Sequence, residues 1–356
     1  MGHDNNQRTW QLYCPVPLAT DGECITLAHG EGGRLMRKLI RERIIPSLGS
    51  DVLSSMDDAA RLPQIAGPLA LTTDSFVVSP LFFPGGDIGS LAVYGTANDL
   101  AVSGARPLYL TLSLIIEEGL PLAVLDRILQ SVADAARKAA VHIVAGDTKV
   151  VPRGAADGLF INTTGVGELI EPVPPGPSSL SEGDLLIVTG PIGCHGIAVL
   201  CAREELGLEP PPRSDSAPLW QIAQLLRESV EGGLRAMRDA TRGGVAAVLH
   251  EWAEASGQTM TIRDHDVPVS PDVRGACELL GLDPLHVANE GTMVVAVAAD
   301  AAQAALDALH SSRESASAAI IGTVVPKRIS PVTVVRQLGP EQALDDPLGA
   351  PLPRIC

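Results

Sequence analysis

The chain has 356 residues, of which 46% are hydrophobic and only 3% aromatic, so it can form an aliphatic core and exceeds the usual size of one domain. Its 42 acidic and 26 basic side chains give a formal net charge of −16. This charge disfavours binding to nucleic acid or an anionic membrane through a broad basic surface. The sequence has no run of about 18 apolar residues that could span a bilayer, and its polar N-terminus lacks the apolar core of a signal peptide. Six scattered cysteines without metal-ligand spacing fit a reduced, cytoplasmic protein.

Hydrophobic periodicity predicts alternating strands and helices in the first half of the chain. After a flexible extension over 1–24, a helix is expected to follow Gly32-Gly33 and to end at Pro46. Strands are predicted at 69–78, 108–116, 141–144 and 159–166, and helices at 88–103 and 121–140. The proline-rich stretch 171–177 is the strongest linker signal, so the first domain is predicted to span 25–170.

The second half is predicted to form another domain over 171–346. Strands are predicted at 184–188, 293–298, 320–325 and 332–335, and helices at 197–205, 218–229, 244–255, 271–280 and 302–310. This mixed order indicates α+β domains rather than a regular alternation of strands and helices. No internal repeat is visible.

The last ten residues, 347–356, form a proline-containing tail that ends in Cys356. An extended arm of ten residues spans at most about 33–36 Å, and its prolines stiffen it toward polyproline geometry. A thiol on such an arm can take up a group at one site and present it at another. The tail alone is equally compatible with an accidental terminal cysteine on a disordered segment.

Several common active-site motifs are absent. The chain has no Walker A loop, no G-x-G-x-x-G opening a helix and no G-x-S-x-G elbow. His250-Glu-Trp-Ala-Glu254 begins like a zinc-protease helix but has Glu where the second His is required. The standard nucleotide, hydrolase and zinc sites are therefore excluded.

Aspartates recur at the ends of apolar segments, beside small or hydrogen-bonding residues. They lie in Met56-Asp-Asp-Ala-Ala60, Thr72-Thr-Asp-Ser75, Ala97-Asn-Asp-Leu100 and Ala145-Gly-Asp-Thr-Lys149. Such oxygen ligands suit Mg²⁺, which is commonly held by one or two carboxylates and substrate phosphates. Each aspartate could instead cap a helix or turn, and spacing alone does not show that they converge. Lys149, after a predicted Gly-Asp-Thr turn, suits a phosphate contact but also fits a solvated surface lysine.

Three glycine-rich segments could supply anion-binding turns, since free backbone amides at a helix N-terminus attract phosphates. They are 27–33, 83–87 and 239–244, the last with Arg242 available for oxyanions. Each is also compatible with an ordinary loop.

Together these segments resemble the family of ATP-using synthetases typified by aminoimidazole ribonucleotide synthetase, selenophosphate synthetase and thiamine monophosphate kinase. Within that family the resemblance is strongest to the carbamoyl dehydratases of hydrogenase maturation. It covers essentially everything from Ile25 to the C-terminus. It is carried by Leu27-Ala-His-Gly-Glu-Gly-Gly33, Thr73-Asp-Ser-Phe-Val-Val-Ser-Pro-Leu-Phe-Phe-Pro-Gly-Gly86, Gly95-Thr-Ala-Asn-Asp-Leu-Ala-Val-Ser-Gly104, Gly146-Asp-Thr-Lys-Val-Val151, Asp239-Ala-Thr-Arg-Gly-Gly-Val245, Ala288-Asn-Glu-Gly291 and Pro353-Arg-Ile-Cys356.

The resemblance implies a two-domain aminoimidazole ribonucleotide synthetase-like α+β fold. In a homodimer, the N-terminal domains would pair into a β-barrel, and each C-terminal domain would form an α/β sandwich. It also implies ATP and Mg²⁺ as cofactors, with the metal held by Asp58, Asp74, Asp99 and Asp147, and with Asp57 as an alternative to Asp58. The nucleotide would contact those aspartates together with His29, Gly32, Gly33, Asn98, Thr148, Asp239, Arg242, Gly243 and Asn289.

The implied reaction is ATP-dependent dehydration of an S-carbamoyl group on Cys356 to a thiocyanate, which supplies the cyanide ligand of the iron in NiFe-hydrogenase. By the same resemblance, Lys149 and Glu290 are the polar groups nearest the thiocarbamate. The implied partners are the carbamoyltransferase HypF and the iron-carrying HypC–HypD complex. Two alternatives stay open: a selenophosphate synthetase-like enzyme or other small-molecule kinase, which Cys24 allows, and a non-catalytic nucleotide-sensing scaffold.

Overall fold

A computed structural model of the chain describes residues 22–230, 232–336, 339–346, 352 and 354–356. The predicted extension therefore lies mostly outside the described residues, as do Cys14 and the tail prolines Pro347, Pro351 and Pro353. The helices are α1 (Arg34–Leu39), α2 (Ile45–Leu48), α3 (Asp51–Ser54), α4 (Ile88–Val102), α5 (Leu122–Ala139), α6 (Cys194–Arg203), α7 (Trp220–Ser229), α8 (Gly244–Ser256), α9 (Pro271–Leu280) and α10 (Ala302–Ser311). The strands are β1 (Leu69–Phe76), β2 (Phe82–Phe83), β3 (Gly86–Asp87), β4 (Ala105–Glu117), β5 (His142–Val151), β6 (Leu159–Leu169), β7 (Leu185–Val188), β8 (Leu234–Asp239), β9 (Thr259–Arg263), β10 (Met293–Val297), β11 (Ala319–Val325), β12 (Val332–Val335) and β13 (Glu341–Ala343).

The first half of the chain forms a four-stranded sheet in the order β1-β6-β4-β5. Helix α4 packs on one face of this sheet, and α5 packs on α4. Apolar residues of α5 recur every three or four positions, and this stripe is fully buried: Leu125, Ile128, Leu129 and Val132. The other face of the sheet stays exposed, so that Leu69, Leu71 and Ile115 are 57%, 73% and 39% accessible.

The second half forms a seven-stranded sheet in the order β13-β12-β9-β11-β7-β10-β8. Alternate residues of the central strands belong to two different cores. Leu186 and Val188 pack with α8 in one core, and Ile187 packs with α7 and α10 in the other. Because successive side chains of a strand point to opposite faces, the helices cover both faces of this sheet. The predicted α+β class is confirmed.

Helix α4 joins the two halves. It contacts β1, β4 and β6 of the first sheet as well as β8 and α7 of the second half. This double contact explains why nearly every side chain of α4 is buried, including the polar Thr96 and Asn98. The cleft between the halves lies along this helix.

Two local predictions are wrong. The helix after Gly33 does not end at Pro46: it continues through a π-helical segment (Ile40–Ile44) into α2 with right-handed helical backbone at both junctions, so Pro46 lies inside a continuous helical stretch, just after the π-bulge. The predicted turn at Gly146-Asp147-Thr148 is instead the middle of β5, which pairs in parallel with β4. Strands β8 and β9 are not predicted by the sequence pattern. Within the described part of the chain, no helix has the length and apolar character needed to cross a membrane.

Candidate active site at the docked C-terminus

The end of the chain is docked against the segment that follows β1. The N–H of Val77 donates to the main-chain oxygen of Cys356 at 3.1 Å, and that of Ser79 donates to Arg354 at 3.3 Å. Pairing 77 with 356 and 79 with 354 is antiparallel, so the terminus extends the strand pattern. Ile355 is buried at 4% accessibility. The predicted mobile thiol is therefore held in place in this structure.

Cys356 faces the cleft beside three charged side chains. Burial raises the pKa of its thiol to about 12; the nearby charges of Glu290 and Asp74 add to this rise, and Arg242 opposes it. A thiol with such a pKa stays protonated and unreactive at neutral pH, because the thiolate is the nucleophilic form. The docked cysteine is thus placed to be acted upon rather than to attack.

Glu290 is buried deepest among the acids of the cleft. Its carboxylate lies beside the bare backbone of Gly95 in α4, where an added Cβ would come within 3.9 Å of Oε2. Burial is the main reason that the pKa of Glu290 is well above its usual value, and the charge of Asp239 contributes next. A buried carboxyl with a raised pKa is a suitable general base once it has lost its proton.

Three aspartates complete the acidic side of the cleft. Asp74 lies on β1, Asp99 on α4 and Asp239 at the end of β8. Burial raises the pKa of all three, that of Asp239 to about 7, with the charge of Asp99 as the next cause for Asp239. Thr72 donates to Asp99 at 2.8 Å. Hard cations are held by such oxygen donors.

The turn before α8 brings a positive charge and free amides to the same place. Arg242 lies 3.7 Å from Asp74. Gly243 and Gly244 have φ values of 77° and 62°, a backbone conformation that glycine adopts most readily. Helix α8 begins at Gly244, and Gly243 before it offers no side-chain cap, so the N–H groups of the first turn are available to an anion.

Asn98 and Asn289 hold the cleft together. The Asn98 amide donates to the carbonyls of Ala217 and Glu290 at 3.0 and 3.3 Å. Asn289 accepts from the Gly193 N–H at 2.7 Å, and its amide donates to Ala240 at 2.8 Å. In this structure both side chains bond to the backbone of the chain itself, and a contact with nucleotide remains a prediction for each.

A second group of predicted site residues lies on β5. Because Asp147 and Lys149 are two positions apart on one strand, they project from the same face, where the Lys149 ammonium lies 3.1 Å from the Asp147 carboxylate. Thr148 points the other way and is buried. Asp147, Asp57 and Asp58 line one cavity of about 230 Å³ between α2, α3 and β4–β5. Neither Asp57 nor Asp58 is distinguished as the ligand by this arrangement.

The loop 29–33 lies next to β5. An added Cβ on Gly30 would come within 2.4 Å of the Val150 nitrogen, so glycine is required for this close approach. His29 turns back to Thr26, 2.9 Å away, and lines a cavity of about 720 Å³ together with Cys24. Gly32 and Gly33 are exposed at the start of α1. Cys24, predicted to lie in the extension, forms an isolated antiparallel backbone bridge with Pro121.

The four predicted metal ligands thus fall into two groups. Asp74 lies on β1 and Asp147 on β5, and these strands are opposite edges of the four-stranded sheet. Three strand spacings separate them, about 14 Å. Among the residues that the structure describes, no three His, Cys, Asp or Glu side chains are grouped closely enough to hold a metal. A site of one or two carboxylates plus phosphate oxygens, the usual environment of Mg²⁺, fits each group.

Several residues of the cleft are not predicted by the sequence. His195 donates to the Ile355 carbonyl, and Asp215 accepts from the backbone of Glu290. Both lie in unremarkable segments, Gly193-Cys-His-Gly196 and Arg213-Ser-Asp-Ser216, and only their tertiary contacts, with the docked tail for His195 and with Glu290 for Asp215, make them part of the site.

Models of two protein families match the chain. The model described as AIR synthase related protein, N-terminal domain, matches residues 56–169, and the one for the C-terminal domain matches residues 181–335. The chain is 48% identical to carbamoyl dehydratase HypE of Escherichia coli over 337 residues, covering 93% of this chain and 99% of that protein.

Solved structures are similar over nearly the whole chain. A crystal structure of the hydrogenase maturation protein HypE in complex with ATP has a TM-score of 0.87 at 42% identity and covers 93% of this chain and 99% of its own. HypE in a crystal structure of a HypE–HypF complex has a TM-score of 0.76 at 45% identity and covers 87% of this chain and 99% of its own.

Proposed function

The chain belongs to the AIR synthase related family and, within it, to the HypE carbamoyl dehydratases, and from this premise we propose that it uses ATP to dehydrate an S-carbamoyl group on Cys356 to a thiocyanate. The product would supply the cyanide ligand for the iron of a NiFe-hydrogenase. The observation that carries this proposal is the docking of Cys356 beside Glu290 and Asp74 in a cleft between the two halves.

The overall reaction removes one oxygen and two protons from the carbamoyl group. Converting S–C(=O)–NH₂ to S–C≡N releases the elements of water, and oxide is a poor leaving group. Transfer of the terminal phosphoryl group of ATP to the carbonyl oxygen makes that oxygen leave as phosphate. The C–O bond then breaks, the nitrile forms, and ADP, phosphate and thiocyanate are the products. Catalysis of such phosphoryl transfer relies mainly on positioning and electrostatic stabilisation.

Glu290 is the proposed acceptor of the N–H protons. Its charge raises the pKa of the Cys356 thiol, so the two side chains lie near each other. The raised pKa of Glu290 itself makes its carboxylate a strong base for a neutral amide nitrogen. Burial of the cleft also keeps water away from the activated intermediate.

Charges on the phosphates would be met from two directions. The N-terminus of α8 and Arg242 face Asp74 in the cleft, and Lys149 lies beside Asp147 on β5. Bound Mg²⁺ would neutralise phosphate charge, held by Asp74 and Asp99 in one group and by Asp147 and Asp58 or Asp57 in the other. Lys149 would contribute a point charge to the transferred phosphoryl group.

A homodimer would bring the two groups together. Within one chain Asp74 and Asp147 lie at opposite edges of a sheet whose outer face exposes Leu69 and Leu71. A second copy packed on this face could place its β5 edge beside the first copy's β1 edge. Covering exposed apolar strand residues favours such pairing. We therefore propose that each nucleotide contacts residues of both protomers.

The partners follow from the chemistry of the thiol. With a pKa of about 12 in the docked state, Cys356 can form a thiolate for loading only when it is undocked. We propose the carbamoyltransferase HypF as the donor, by analogy with the HypE–HypF complex, and HypC–HypD as the acceptor of cyanide. The described cysteines are free thiols, which suits the reducing cytoplasm as the site of action. Cys24, the basis of the selenophosphate alternative, lies in the His29 cavity rather than in this cleft.

Mass measurement of the intact protein tests the proposed reaction. We expect carbamoylated protein to lose about 18 Da, the mass of water, when ATP and Mg²⁺ are added. Carbamoylated protein without ATP is the control and should keep its mass. Hydrolysis of ATP without this loss would favour a different kinase reaction, and loss of the whole carbamoyl group would contradict dehydration.

A further inference from the structure

One carbonyl of the docked tail is bound by a side chain rather than by the backbone. The main-chain oxygens of Arg354 and Cys356 accept from the backbone of the 77–79 segment, that of Arg354 also from the Arg203 guanidinium, and the intervening oxygen of Ile355 points the other way, as successive carbonyls of an extended chain do. It lies 2.6 Å from Nε2 of His195, in the first turn of α6. His195 is fully buried, and its ring packs perpendicular to that of Phe83, with the ring centroids 5.3 Å apart.

The hydrogen-bond partners of His195 fix which nitrogen carries its proton. The Ile355 carbonyl can only accept, so Nε2 must be the donor. The other nitrogen, Nδ1, lies 2.8 Å from the Ser214 hydroxyl, which also accepts from the N–H of Ser216 at 3.1 Å. The Ser214 hydroxyl therefore gives its one hydrogen to Nδ1. Burial lowers the pKa of His195 and so favours the neutral ring, which Ser214 orients with its single N–H directed at the tail.

The next residue, Asp215, reaches the proposed base. Its two carboxylate oxygens accept from the backbone N–H groups of Glu290 and Gly291 at 3.1 and 3.0 Å. The backbones also approach closely, since an added Cβ on Gly291 would come within 1.8 Å of the main-chain oxygen of Asp215. Consecutive residues of one segment therefore hold the backbone of Glu290 and, through His195, the backbone next to Cys356.

We propose that His195 is a positioning residue that holds the Cys356 tail in register with Glu290 through the Ser214–Asp215 segment. The proposal rests on the proposed function for the identity of the reaction, but the docking itself is independent of it. His195 binds the Ile355 carbonyl and the Ser214 hydroxyl rather than the thiol itself. Its effect is to keep the reacting sulfur in the cleft at a fixed distance from the base.

Alkylation of Cys356 measures this positioning without any carbamoyl group. The docked thiol is half-buried and protonated, so iodoacetamide should modify it slowly, as followed by mass spectrometry of the C-terminal peptide. His195→Leu removes the donor and leaves the Ile355 carbonyl unpaired, and we expect roughly tenfold faster alkylation, the effect of losing a buried hydrogen bond. His195→Gln can still donate near the position of Nε2 and should stay within about threefold of the unmodified protein.

The comparison of these two variants separates a donor role from simple packing. Leu is apolar and would suit a buried packing position better than Gln, so a packing role predicts that Gln exposes the tail more. Equal rates for the two variants, or faster alkylation in His195→Gln, would overturn the proposal. His310→Leu is the matched control, because His310 also donates to a main-chain carbonyl, that of Ala318 at 2.9 Å, but makes no part of the tail contact. This variant should leave the alkylation rate of Cys356 unchanged.

A single-turnover assay adds the second half of the proposal. In His195→Leu we expect slower dehydration of carbamoylated protein with unchanged affinity for ATP, and in His195→Gln a substantial recovery. Unchanged dehydration in His195→Leu would contradict the positioning role. If the unmodified protein showed the expected alkylation pattern but no dehydration, the tail anchor would stand and the proposed reaction would fail.

Discussion

At the scale of single residues, the cleft holds more acidic side chains than basic ones to balance their charge. Glu290 and Asp239 are both buried, burial is the main reason that the pKa of each is raised, and the charge of Asp239 further raises the pKa of Glu290. Two carboxyls in a low-dielectric site cannot both ionise readily, because desolvation and repulsion both favour the protonated form. Such a pair should be visible in the pH dependence of the reaction.

The acidic limb of the pH–rate profile should report Glu290, because only its ionised form accepts a proton. A raised pKa places this limb at higher pH than an ordinary glutamate would. Asp239→Asn removes a negative charge, lowers the pKa of Glu290 and should move the limb to lower pH at saturating ATP and Mg²⁺. Glu290→Gln is the control and should bind ATP yet form no thiocyanate. A limb that stays in place or moves upward would exclude this coupling.

The sequence predicts the chemistry of the site better than its geometry. The sequence predicts Asp74 and Asp99 as oxygen ligands, and the resemblance adds Asp239 as a nucleotide contact, but their convergence depends on where β1, α4 and β8 meet, which no local spacing encodes. Asp215 and His195 could not be predicted, because their roles arise from contacts with Glu290 and Ile355 that are 75 and 160 positions away.

At the scale of elements, the tail behaves as a short extra strand. Backbone bonds to 77–79 and the side chain of Arg354, which pairs with Asp157, hold it in place. Arg354 has φ of 56°, an uncommon conformation for a side-chain-bearing residue, so its contacts must offset some backbone strain. These modest contacts fit a segment that docks and undocks.

Carbamoylation should strengthen docking, because a neutral thiocarbamate has no ionised form to exclude from the cleft. For the unmodified thiol, docking raises its pKa to about 12, so docking should weaken as the pH rises above 9, its ordinary value. We expect slower tryptic release of Ile355–Cys356 from carbamoylated than from unmodified protein at pH 9. Cleavage after Arg61, in an exposed loop, serves as the control. Equal release from the two proteins would argue against stronger docking of the carbamoylated tail.

The elements themselves were largely predictable where one pattern dominates. Helix α9 matches the predicted 271–280, since an N-terminal Pro and a following Gly mark both ends. Strand β5 was cut short because Gly146-Asp147 has the composition of a turn; tertiary pairing with β4 overrides that preference. Strand β8 has the sequence Leu-Arg-Ala-Met-Arg-Asp and one half-exposed face. Its charged residues interrupt the apolar pattern, so the sequence does not predict a strand there.

At the scale of the whole molecule, the proposed nucleotide site needs residues from two copies of the chain. The outer face of the first sheet exposes leucines that a monomer would leave in water, and the two halves of the proposed nucleotide site lie at opposite edges of that sheet. Neither edge alone collects the proposed ligands.

Leu71→Asp should separate the protomers, because Leu71 is 73% exposed in one chain but would be covered in a dimer. We expect a monomer by analytical ultracentrifugation and at least tenfold weaker ATP binding, with little change in the fold of each chain. Leu279→Asp, at a leucine on α9 that is 70% exposed, is the matched control and should leave both unchanged. Full ATP affinity in a monomeric Leu71→Asp protein would exclude a shared site.

The central claim is that ATP removes the carbamoyl oxygen from Cys356, and the fate of that oxygen tests it most directly. Protein loaded with a carbamoyl group labelled with ¹⁸O is given ATP, and the inorganic phosphate is analysed by mass spectrometry. The account predicts that one ¹⁸O atom appears in phosphate for each thiocyanate formed. Unlabelled phosphate, with the ¹⁸O retained on the protein or released into water, would contradict it.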